Sequence, residues 1–354
     1  MKHEELKVKV NEYINSVLLK LDNLPTNIIE GNKEQMVSGI IARLFSRKFR
    51  KYAISDDVKT NLTEKIRNIV QNDLPITFIP SFGGYKHWWS PTYPQVDWAE
   101  VFNMKFMLKY LAPIFNSYKS APVSIEYESE EVILSELNNV PQSGLDEYTR
   151  TFRLLTKHFN ELLEGKTRID LTLARDLYDV NKLHEIIDET YAMHEAAFDC
   201  YEPEDQQRRL KKVETNFLLK GVKDYSGYSD EEKQKLYRRS RILNETFLDA
   251  DLVLRPNFFE GESSVPLLFS FGLGPGGEAW LHIGSCSTSM VDFWAGMGIL
   301  EYWPVEDKFV QRIISRTQYE ELKDQLVEVA VESPIAHVSE NFSKIYVYQG
   351  KLVF

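Results

Sequence analysis

The stretch Leu74-Pro75-Ile76-Thr77-Phe78-Ile79-Pro80 is the starting point for predicting the fold. It is a short apolar run bounded by prolines, too short for a helix and rich in strand-forming residues, so it predicts a buried strand. A long loop at residues 81–95 follows, then a helical pattern over residues 96–117 and an alternating strand pattern over residues 123–127. Strand, loop, helix and strand in this order predict the βαβ unit of a parallel sheet.

The patterns on either side of this unit extend the prediction along the chain. Apolar residues spaced three and four apart indicate an N-terminal helical segment over residues 1–72. After the βαβ unit we expect a helix over residues 145–163, a strand over residues 167–173 and a mostly helical stretch over residues 175–248. The predicted fold class is therefore α/β, with a Rossmann-like sheet in a domain of residues 73–354 that continues the helical segment as one globular unit.

The last third of the chain has strand-like patterns and predicts a C-terminal mixed β region. Residues 265–271 and 278–283 flank a glycine-rich turn at residues 272–277, which predicts a hairpin. The turn lacks the Gly-Lys-Ser/Thr ending of a phosphate-binding loop, so a structural turn is the favoured interpretation. Residues 317–328 are predicted to be helical, and residues 345–348 are predicted to pair with residues 352–354.

The composition argues against some classes of function. The 354 residues carry a formal net charge of −11 at pH 7, which disfavours a general binder of nucleic acid or of anionic membranes. The only cysteines, Cys200 and Cys286, cannot form a disulfide framework, and the charged start of the chain does not resemble a signal peptide. No apolar run approaches the roughly 20 residues that a membrane span needs. We expect a cytoplasmic protein that acts on small molecules.

The loop after the first predicted strand is the first candidate for a functional site. In open α/β sheets, ligands bind at the carboxyl ends of the strands, and long loops in compact domains are often functional. Glycines allow close approach of a ligand, a lysine and a histidine can hold an anion or move a proton, and aromatic rings offer stacking surfaces. The alternative is a packed loop whose aromatic side chains attach it to the core. The candidate residues of this loop are Phe82, Gly83, Gly84, Tyr85, Lys86, His87, Trp88 and Trp89.

Two acids at the start of the following helix are the second candidate. Asp97 and Glu100 suit a helix N-terminus, where side-chain capping and the helix dipole both favour a carboxylate. Capping alone explains both residues. The functional alternative is that one carboxylate faces the loop and binds an amine or a hydroxyl group.

Other residue clusters are weaker candidates. Arg238 and Arg239 lie in a basic run, which is either a solvated helix face paired with acids or a phosphate site. A phosphate site is an alternative because arginine binds phosphate oxygens through two parallel hydrogen bonds. His282 and Cys286 lie close in sequence but without a nucleophile elbow. His184 and His194 do not have the spacing of metal ligands, so no metal site is predicted.

Several of these motifs together resemble the isonitrile synthase family, the pyoverdine/dityrosine biosynthesis group. The resemblance is carried by Pro75-Ile76-Thr77-Phe78, by Phe82 with Lys86, and by Pro94-Gln95-Val96-Asp97-Trp98-Ala99-Glu100. Ser129-Glu130-Glu131-Val132 is similar to the family's Ser-Asp-Gly-x-Val turn. The chain departs from the family at two places, where Phe269-Ser270-Phe271 and Trp294-Ala295-Gly296 lack the histidines of the corresponding motifs.

The resemblance implies a Rossmann-like enzyme that condenses an amino acid's amino group with ribulose 5-phosphate to form an isonitrile, with no metal or nucleotide cofactor. In that enzyme, cations hold the sugar phosphate, aromatic rings contact the amino acid, and acid/base groups catalyse the carbonyl condensation. The implied catalytic residues are Lys86, His87, Asp97 and Glu100. The implied substrate-binding residues are Phe82, Gly83, Gly84, Tyr85, Trp88, Trp89, Ser129, Arg238 and Arg239.

Two alternatives remain open. One is another transferase of the same fold that uses a nucleotide or another phosphorylated donor. The other is a non-catalytic protein that binds a small ligand or a partner and has lost the family's histidines. Convergence of Lys86, His87, Asp97 and Glu100 at one site would favour an enzyme or a small-ligand binder over a purely structural loop.

Overall fold

The structure is a computed structural model. It describes residues 2–21, 24–47, 56–83, 86, 94–129, 142–173, 176, 179–220, 227–259, 265–270, 281–289 and 291–353. The prediction of an α/β fold is confirmed: helices surround a parallel sheet, and a smaller mixed sheet lies near the C-terminus. The division of the chain at residues 72 and 73 stays a prediction.

The described strands form two sheets. The larger sheet is parallel throughout, in the order β3-β2-β1-β4-β5, which is the strand order of a doubly wound Rossmann-like fold. Its strands are β1 (Ile76–Phe82), β2 (Val123–Ser129), β3 (Arg168–Leu173), β4 (Val265–Ser270) and β5 (Leu281–His282). The order reverses between β1 and β4, so the crevice for a ligand is expected at the carboxyl end of β1.

The two faces of the larger sheet differ in polarity. One face carries Phe78, Phe82 and Tyr127, which are buried in the core. The opposite face carries Ser81 and Glu128 in register, and the Ser81 hydroxyl donates to Glu128 Oε2 over 3.3 Å. Because strand side chains alternate between faces, the run that predicted β1 also determines which of its residues enter the aromatic core.

The helix that connects β1 to β2 is almost entirely buried. Helix α4 (Trp98–Ser117) begins at the capping residue Asp97 and matches the predicted helix over residues 96–117. Helix α5 (Gln142–Leu163) connects β2 to β3 and packs against β3. The two helices lie beside the aromatic face, because Tyr127 donates to Asn103 of α4 and Tyr148 of α5 contacts Phe82.

Three N-terminal helices pack against this layer, as the sequence predicts. They are α1 (His3–Tyr13), which continues into a π-helical turn at Ile14–Leu18, α2 (Lys33–Leu44) and α3 (Asp56–Gln71). Lys105 of α4 donates to the carbonyl groups of Val17, Leu18 and Lys20, so a buried ammonium satisfies the end of the first helical stretch. Residues of these helices and of both sheets share one apolar core.

The smaller sheet confirms the predicted C-terminal mixed β region. Its order is β7-β6-β9-β8, with β6 and β9 parallel and the outer pairs antiparallel. Its strands are β6 (Met297–Trp303), β7 (Lys308–Ile314), β8 (Leu326–Ala330) and β9 (Lys344–Gln349). This sheet packs on the start of α4, where Trp98 Nε1 donates to the Lys344 carbonyl over 2.7 Å and a Cβ added to Gly298 would lie 2.4 Å from Ala99 N.

Three local predictions in this region were wrong. Strands β4 and β5 pair in parallel and do not form a hairpin. The predicted helix over residues 317–328 ends early, because α9 (Arg316–Leu322) is followed by a 3-10 turn at Lys323–Gln325 and then by β8. Strand β9 pairs with β8 and β6 and not with residues 352–353, the part of the predicted partner that the structure describes. Alternation predicts a strand but determines neither its partner nor its direction.

A helical layer contains the remaining described elements, as the mostly helical pattern predicts. It consists of α6 (Val180–Asp199), α7 (Pro203–Lys220) and α8 (Asp230–Phe259). Helices α6 and α8 pack through a small apolar core of their own that includes Leu183, Ile187 and Phe247. Among the helices that the structure describes, none is long and apolar enough to span a bilayer.

Candidate functional site

The carboxyl end of β1 leads to Lys86, whose ammonium group is the centre of the candidate site. The side chain is 2% exposed, and its Nζ lies 3.1 Å from Asp97 Oδ1 and 3.3 Å from Glu100 Oε1. The ammonium also donates to the carbonyl groups of Phe293, over 2.6 Å, and Gly296. We call the side chains of Lys86, Asp97 and Glu100 the buried ionic cluster.

The two carboxylates of this cluster also cap helix α4. Asp97 Oδ1 accepts from the Ala99 N–H over 2.7 Å, and Glu100 Oε2 accepts from the Asp97 N–H over 2.8 Å. This reciprocal capping box has an acid at both positions, and the helix dipole favours negative charge there. The two acids therefore cap the helix and face the loop at the same time, because Glu100 Oε1 and Asp97 Oδ1 both lie close to the Lys86 ammonium.

The Glu100 carboxyl group of this cluster has an altered proton affinity. Burial raises the pKa of the Glu100 carboxyl to about 8, the Lys86 ammonium acts in the opposite direction, and the Asp97 carboxylate raises the pKa further. Burial is the largest of these causes and explains the direction, because removal of water disfavours the charged form of a carboxyl group. Glu100 is thus suited to exchange a proton near neutral pH.

Tyr148 of α5 extends the cluster. Its hydroxyl donates to Glu100 Oε1 over 2.9 Å. Burial, followed by the nearby Glu100 charge, raises the pKa of Tyr148 well above its usual range, and the same two causes raise the pKa of Tyr127. Both phenols therefore keep their protons and act as hydrogen-bond donors at neutral pH.

Aromatic rings surround the cluster on the sheet side. The Phe82 ring lies in contact with the rings of Tyr127, Tyr148, Phe152, Phe293 and Trp294. A second chain of hydrogen bonds runs from the Tyr127 hydroxyl to Asn103 Oδ1, and from Asn103 Nδ2 to the Ser285 carbonyl, each over 2.7 Å. The site is therefore a polar cluster in an aromatic surrounding, where low polarity strengthens charge interactions.

The structure brings together part of the predicted site. Lys86, Asp97 and Glu100 converge, Phe82 and Gly83 are buried beside them, and Ser129 is buried at the carboxyl end of β2, in register with Phe82. The remaining loop candidates lie outside the described residues, as does the glycine-rich turn at residues 272–277. These loop candidates are Gly84, Tyr85, His87, Trp88 and Trp89.

The predicted arginines lie on a different layer. Arg238 of α8 donates to Asp199 Oδ2 over 2.9 Å and lies 3.5 Å from Glu195 Oε1, both on α6. Arg239 is exposed on α8. These contacts place Arg238 in an interhelical ion pair, so its charge is paired with acids of α6.

Sequence reasoning missed several contributors to the cluster. Phe293 and Gly296 act through backbone carbonyls, which leave no side-chain signal, although Trp294-Ala295-Gly296 was noted as the counterpart of a family motif. Ala295, at the position of the family's histidine, is buried within this segment. Tyr148 was noted neither for its hydroxyl nor for its pKa, because only the packing of α5 brings it to Glu100.

The metal-ligating and thiol side chains outside the cluster were predicted to be weaker candidates. In the part of the chain that the structure describes, no three His, Cys, Asp or Glu side chains lie close enough to hold a metal ion. The Cys286 thiol is buried, with its Sγ 3.6 Å from the Thr288 hydroxyl oxygen. Cys286 therefore has the surroundings of a packed thiol, unlike the exposed, electropositive surroundings of a reactive one.

A surface cleft of about 870 Å³ lies at the opposite end of the parallel sheet. Its basic lining residues include Lys119, Lys166 and Arg168, and they follow the C-termini of α4 and α5 or the start of β3. Lys119 Nζ donates to the Phe115 carbonyl over 3.1 Å. Basic side chains complement the negative ends of helix dipoles, which accounts for their presence in the cleft.

Comparisons with known proteins agree with this fold. No family model matches the sequence, and no curated protein matches it significantly. Among solved structures, the chain is similar to the PvcA protein from Pseudomonas aeruginosa, with a TM-score of 0.63 at 14% sequence identity. The match covers 88% of this chain and 99% of the PvcA chain. At this identity the likeness shows the fold, and that fold is the mixed helix-and-sheet architecture of PvcA.

Proposed function

We propose that the protein is an isonitrile-synthase-like enzyme that condenses the amino group of an amino acid with a keto-sugar phosphate, such as ribulose 5-phosphate. The observation that carries this proposal is the buried ionic cluster at the carboxyl end of β1, beside the point where the strand order reverses. In open α/β sheets that position is where substrates bind. The proposed setting is the biosynthesis of a specialised metabolite.

Two independent similarities support the family. The sequence motifs at residues 75–100 resemble the isonitrile synthases, and the fold matches PvcA, which is an isonitrile synthase of pyoverdine and paerucumarin biosynthesis. The motif residues Lys86, Asp97 and Glu100 are the ones that meet in the fold. Motif and fold therefore point to the same part of the molecule.

The chemistry of the cluster suits an amine–carbonyl condensation. An amino acid must lose a proton from its ammonium group before it attacks a ketone, and the resulting alcohol must gain a proton before it leaves as water. Glu100, with a pKa near 8, can accept the first proton and return the second. Lys86 holds Glu100 and Asp97 in place and balances their charge, because its N–H groups already point to protein acceptors.

The saturation of Lys86 also favours a second candidate function. Its ammonium is in contact with carboxylate and carbonyl oxygens of the protein, and Ala295 stands where the family has a histidine. A non-catalytic protein that binds a small ligand or a partner on the same fold would keep such a cluster for stability. A transferase with a nucleotide or another phosphorylated donor is a further outcome to test.

The test combines binding with turnover. Wild-type protein is screened by thermal shift against ribulose 5-phosphate, aromatic amino acids and common nucleotides, since a ligand that binds only the folded state raises the melting temperature. Mixtures of stabilising ligands are then analysed by mass spectrometry for an isonitrile product. Glu100→Gln should lower turnover at least 100-fold, as expected when an acid/base group is lost.

Glu128→Gln is the matched control for this test, because Glu128 is a buried carboxylate on the opposite face of the same sheet. Its turnover should equal that of the wild type. Binding of the sugar phosphate without product would favour the non-catalytic candidate, and stabilisation by nucleotides alone would favour the other transferase. Turnover that survives Glu100→Gln would refute the role assigned to Glu100.

A further inference from the structure

Two serine hydroxyl groups at the carboxyl edge of the parallel sheet are buried without a hydrogen-bond partner among the described residues. Ser129 Oγ and Ser285 Oγ lie in residues that are 2% and 0% exposed. Buried hydroxyl groups in folded proteins are nearly always hydrogen-bonded, and an unsatisfied one is costly. Such a pair requires an explanation in terms of what else binds there.

Both hydroxyl groups belong to residues that are linked to the buried ionic cluster through intervening side chains. Ser129 ends β2 in register with Phe82, whose ring contacts Tyr148, the hydrogen-bond donor to Glu100. Ser285 is joined through its carbonyl to Asn103, one helical turn after Glu100 on α4. Ser129 is thus linked to the cluster from the β2 side and Ser285 from the segment after β5, and Asn103 also accepts from Tyr127, two residues before Ser129 on β2.

The other buried side-chain atoms without a partner, among the residues described, have a different character. Arg209 and Arg241 each have a buried Nε without a partner, while another nitrogen of each guanidinium binds Glu245. His158 of α5 has a buried Nε2 without a partner. Burial lowers the pKa of this imidazole, and the charge of nearby His337 also acts to lower it. Among the described residues, the buried hydroxyl groups without a partner are thus those of Ser129 and Ser285, at the carboxyl edge of the sheet.

We infer that Ser129 and Ser285 form the subsite for the uncharged, hydroxyl-bearing part of a polyhydroxylated ligand, an inference that rests on the proposed function of this site. Each serine hydroxyl can donate one hydrogen bond and accept others, which matches a sugar hydroxyl, itself both donor and acceptor. The ligand places its hydroxyl chain against the two serines.

The charges of the cluster orient that ligand. Asp97 and Glu100 provide two carboxyl groups against the single ammonium of Lys86, so the subsite has no excess positive charge for an anion. A phosphate needs cationic or N–H donors to replace its water. The phosphate end of a sugar phosphate therefore points away from Ser129 and Ser285, and the serines do not bind free phosphate.

The experiment compares stability and binding in Ser129→Ala, Ser285→Ala and a matched control, Ser117→Ala. The Ser117 hydroxyl is buried but bonded, accepting from the Ile29 N–H over 2.6 Å and donating to the Pro113 carbonyl. Urea unfolding and calorimetric binding are measured with ribulose 5-phosphate, unphosphorylated ribulose and inorganic phosphate as probes. For the two site variants, the urea midpoint should stay the same or rise, and ribulose 5-phosphate should bind about tenfold more weakly, as expected for one lost hydrogen bond.

Ser117→Ala should do the opposite, with a lower urea midpoint and unchanged binding. Equal binding of ribulose 5-phosphate by wild type and both site variants would overturn the inference and leave the proposed condensation standing. Serine-dependent binding of ribulose without any binding of its phosphate would support the subsite and contradict the proposed substrate. A lower urea midpoint in the site variants, serine-dependent binding of inorganic phosphate, or no binding of either sugar would overturn the inference.

Discussion

Replacing Lys86 with methionine tests whether the buried ionic cluster is assembled as described. Methionine has nearly the same length but no charge and no N–H donor. The change leaves the Asp97 and Glu100 carboxyl groups without their cation, and the carbonyl groups of Phe293 and Gly296 without a donor. All of these groups lie in the core, where water replaces the lost ammonium poorly.

The expected loss follows from the class of interaction. Breaking a buried ion pair by removing one partner costs about 3–5 kcal/mol, because the remaining charge stays buried and unpaired. Asp97 and Glu100 retain their capping hydrogen bonds from backbone N–H groups, and Glu100 can take up a proton, so the lower half of that range is expected. We therefore expect Lys86→Met to lower the free energy of unfolding by about 3–4 kcal/mol at pH 7.

Urea unfolding followed by circular dichroism measures this loss, with Lys344→Met as the control. The Lys344 ammonium pairs with Glu328 at the surface, where the two side chains are 45% and 49% exposed. Exposed pairs contribute about 0–1 kcal/mol, so the control should move the urea midpoint little. A loss for Lys86→Met no larger than that of Lys344→Met would refute the argument, because it would mean that water solvates the Lys86 ammonium in the folded protein.

Two further predictions concern the same region. The raised pKa of Glu100 means that its contribution to stability is fully present below the unfolded value near 4.5 and is lost as pH rises toward about 8. In urea unfolding at a series of pH values, Glu100→Gln should therefore show a smaller loss of stability between pH 5 and pH 8 than the wild type, and parallel curves would contradict the assigned shift. Gly298→Ala would place a Cβ 2.4 Å from Ala99 N and 2.5 Å from the Trp98 carbonyl carbon, so the sheet must move away from α4. Its melting temperature should fall by an amount that corresponds to about 1–3 kcal/mol of unfolding free energy. Gly165→Ala is the comparison variant, because its Cβ would meet no atom within 4 Å although its φ is +78°. It therefore reports the effect of backbone strain without a packing clash.

The central part of the fold was predictable because its determinants are local. A proline-bounded apolar run, a capping signal at Asp97 and an alternating run at residues 123–127 lie within about fifty residues, and they specify β1, α4 and β2. Lys86, Asp97 and Glu100 share a single strand-to-helix connection, so their encounter also follows from short-range geometry. The expected position of the crevice, at the carboxyl end of β1, then follows from the rule for ligand binding in parallel sheets.

The remaining part was not predictable because its determinants are distant. The Lys86 ammonium contacts backbone carbonyls 207 and 210 residues away, and backbone carbonyls have no sequence signature. Tyr148 joins Glu100 only after α5 has packed on the sheet. The direction of β5 depends on its neighbour β4, and the direction of β9 depends on β6 and β8. The turn-rich connection and the C-terminal alternation therefore predicted hairpins that do not form.

The contact between Lys86 and Gly296 also has a consequence for protein synthesis. On the ribosome, the Lys86 codon is translated 210 residues before that of Gly296. At about 5–20 residues per second, the nascent chain carries Lys86 for roughly 10–40 s before its last acceptor exists. During that interval the lysine remains hydrated, and the start of α4 lacks the sheet that packs on it. The buried ionic cluster is thus expected to be complete only after Gly296 has left the exit tunnel, and until then the emerging chain depends on chaperones that bind exposed apolar segments.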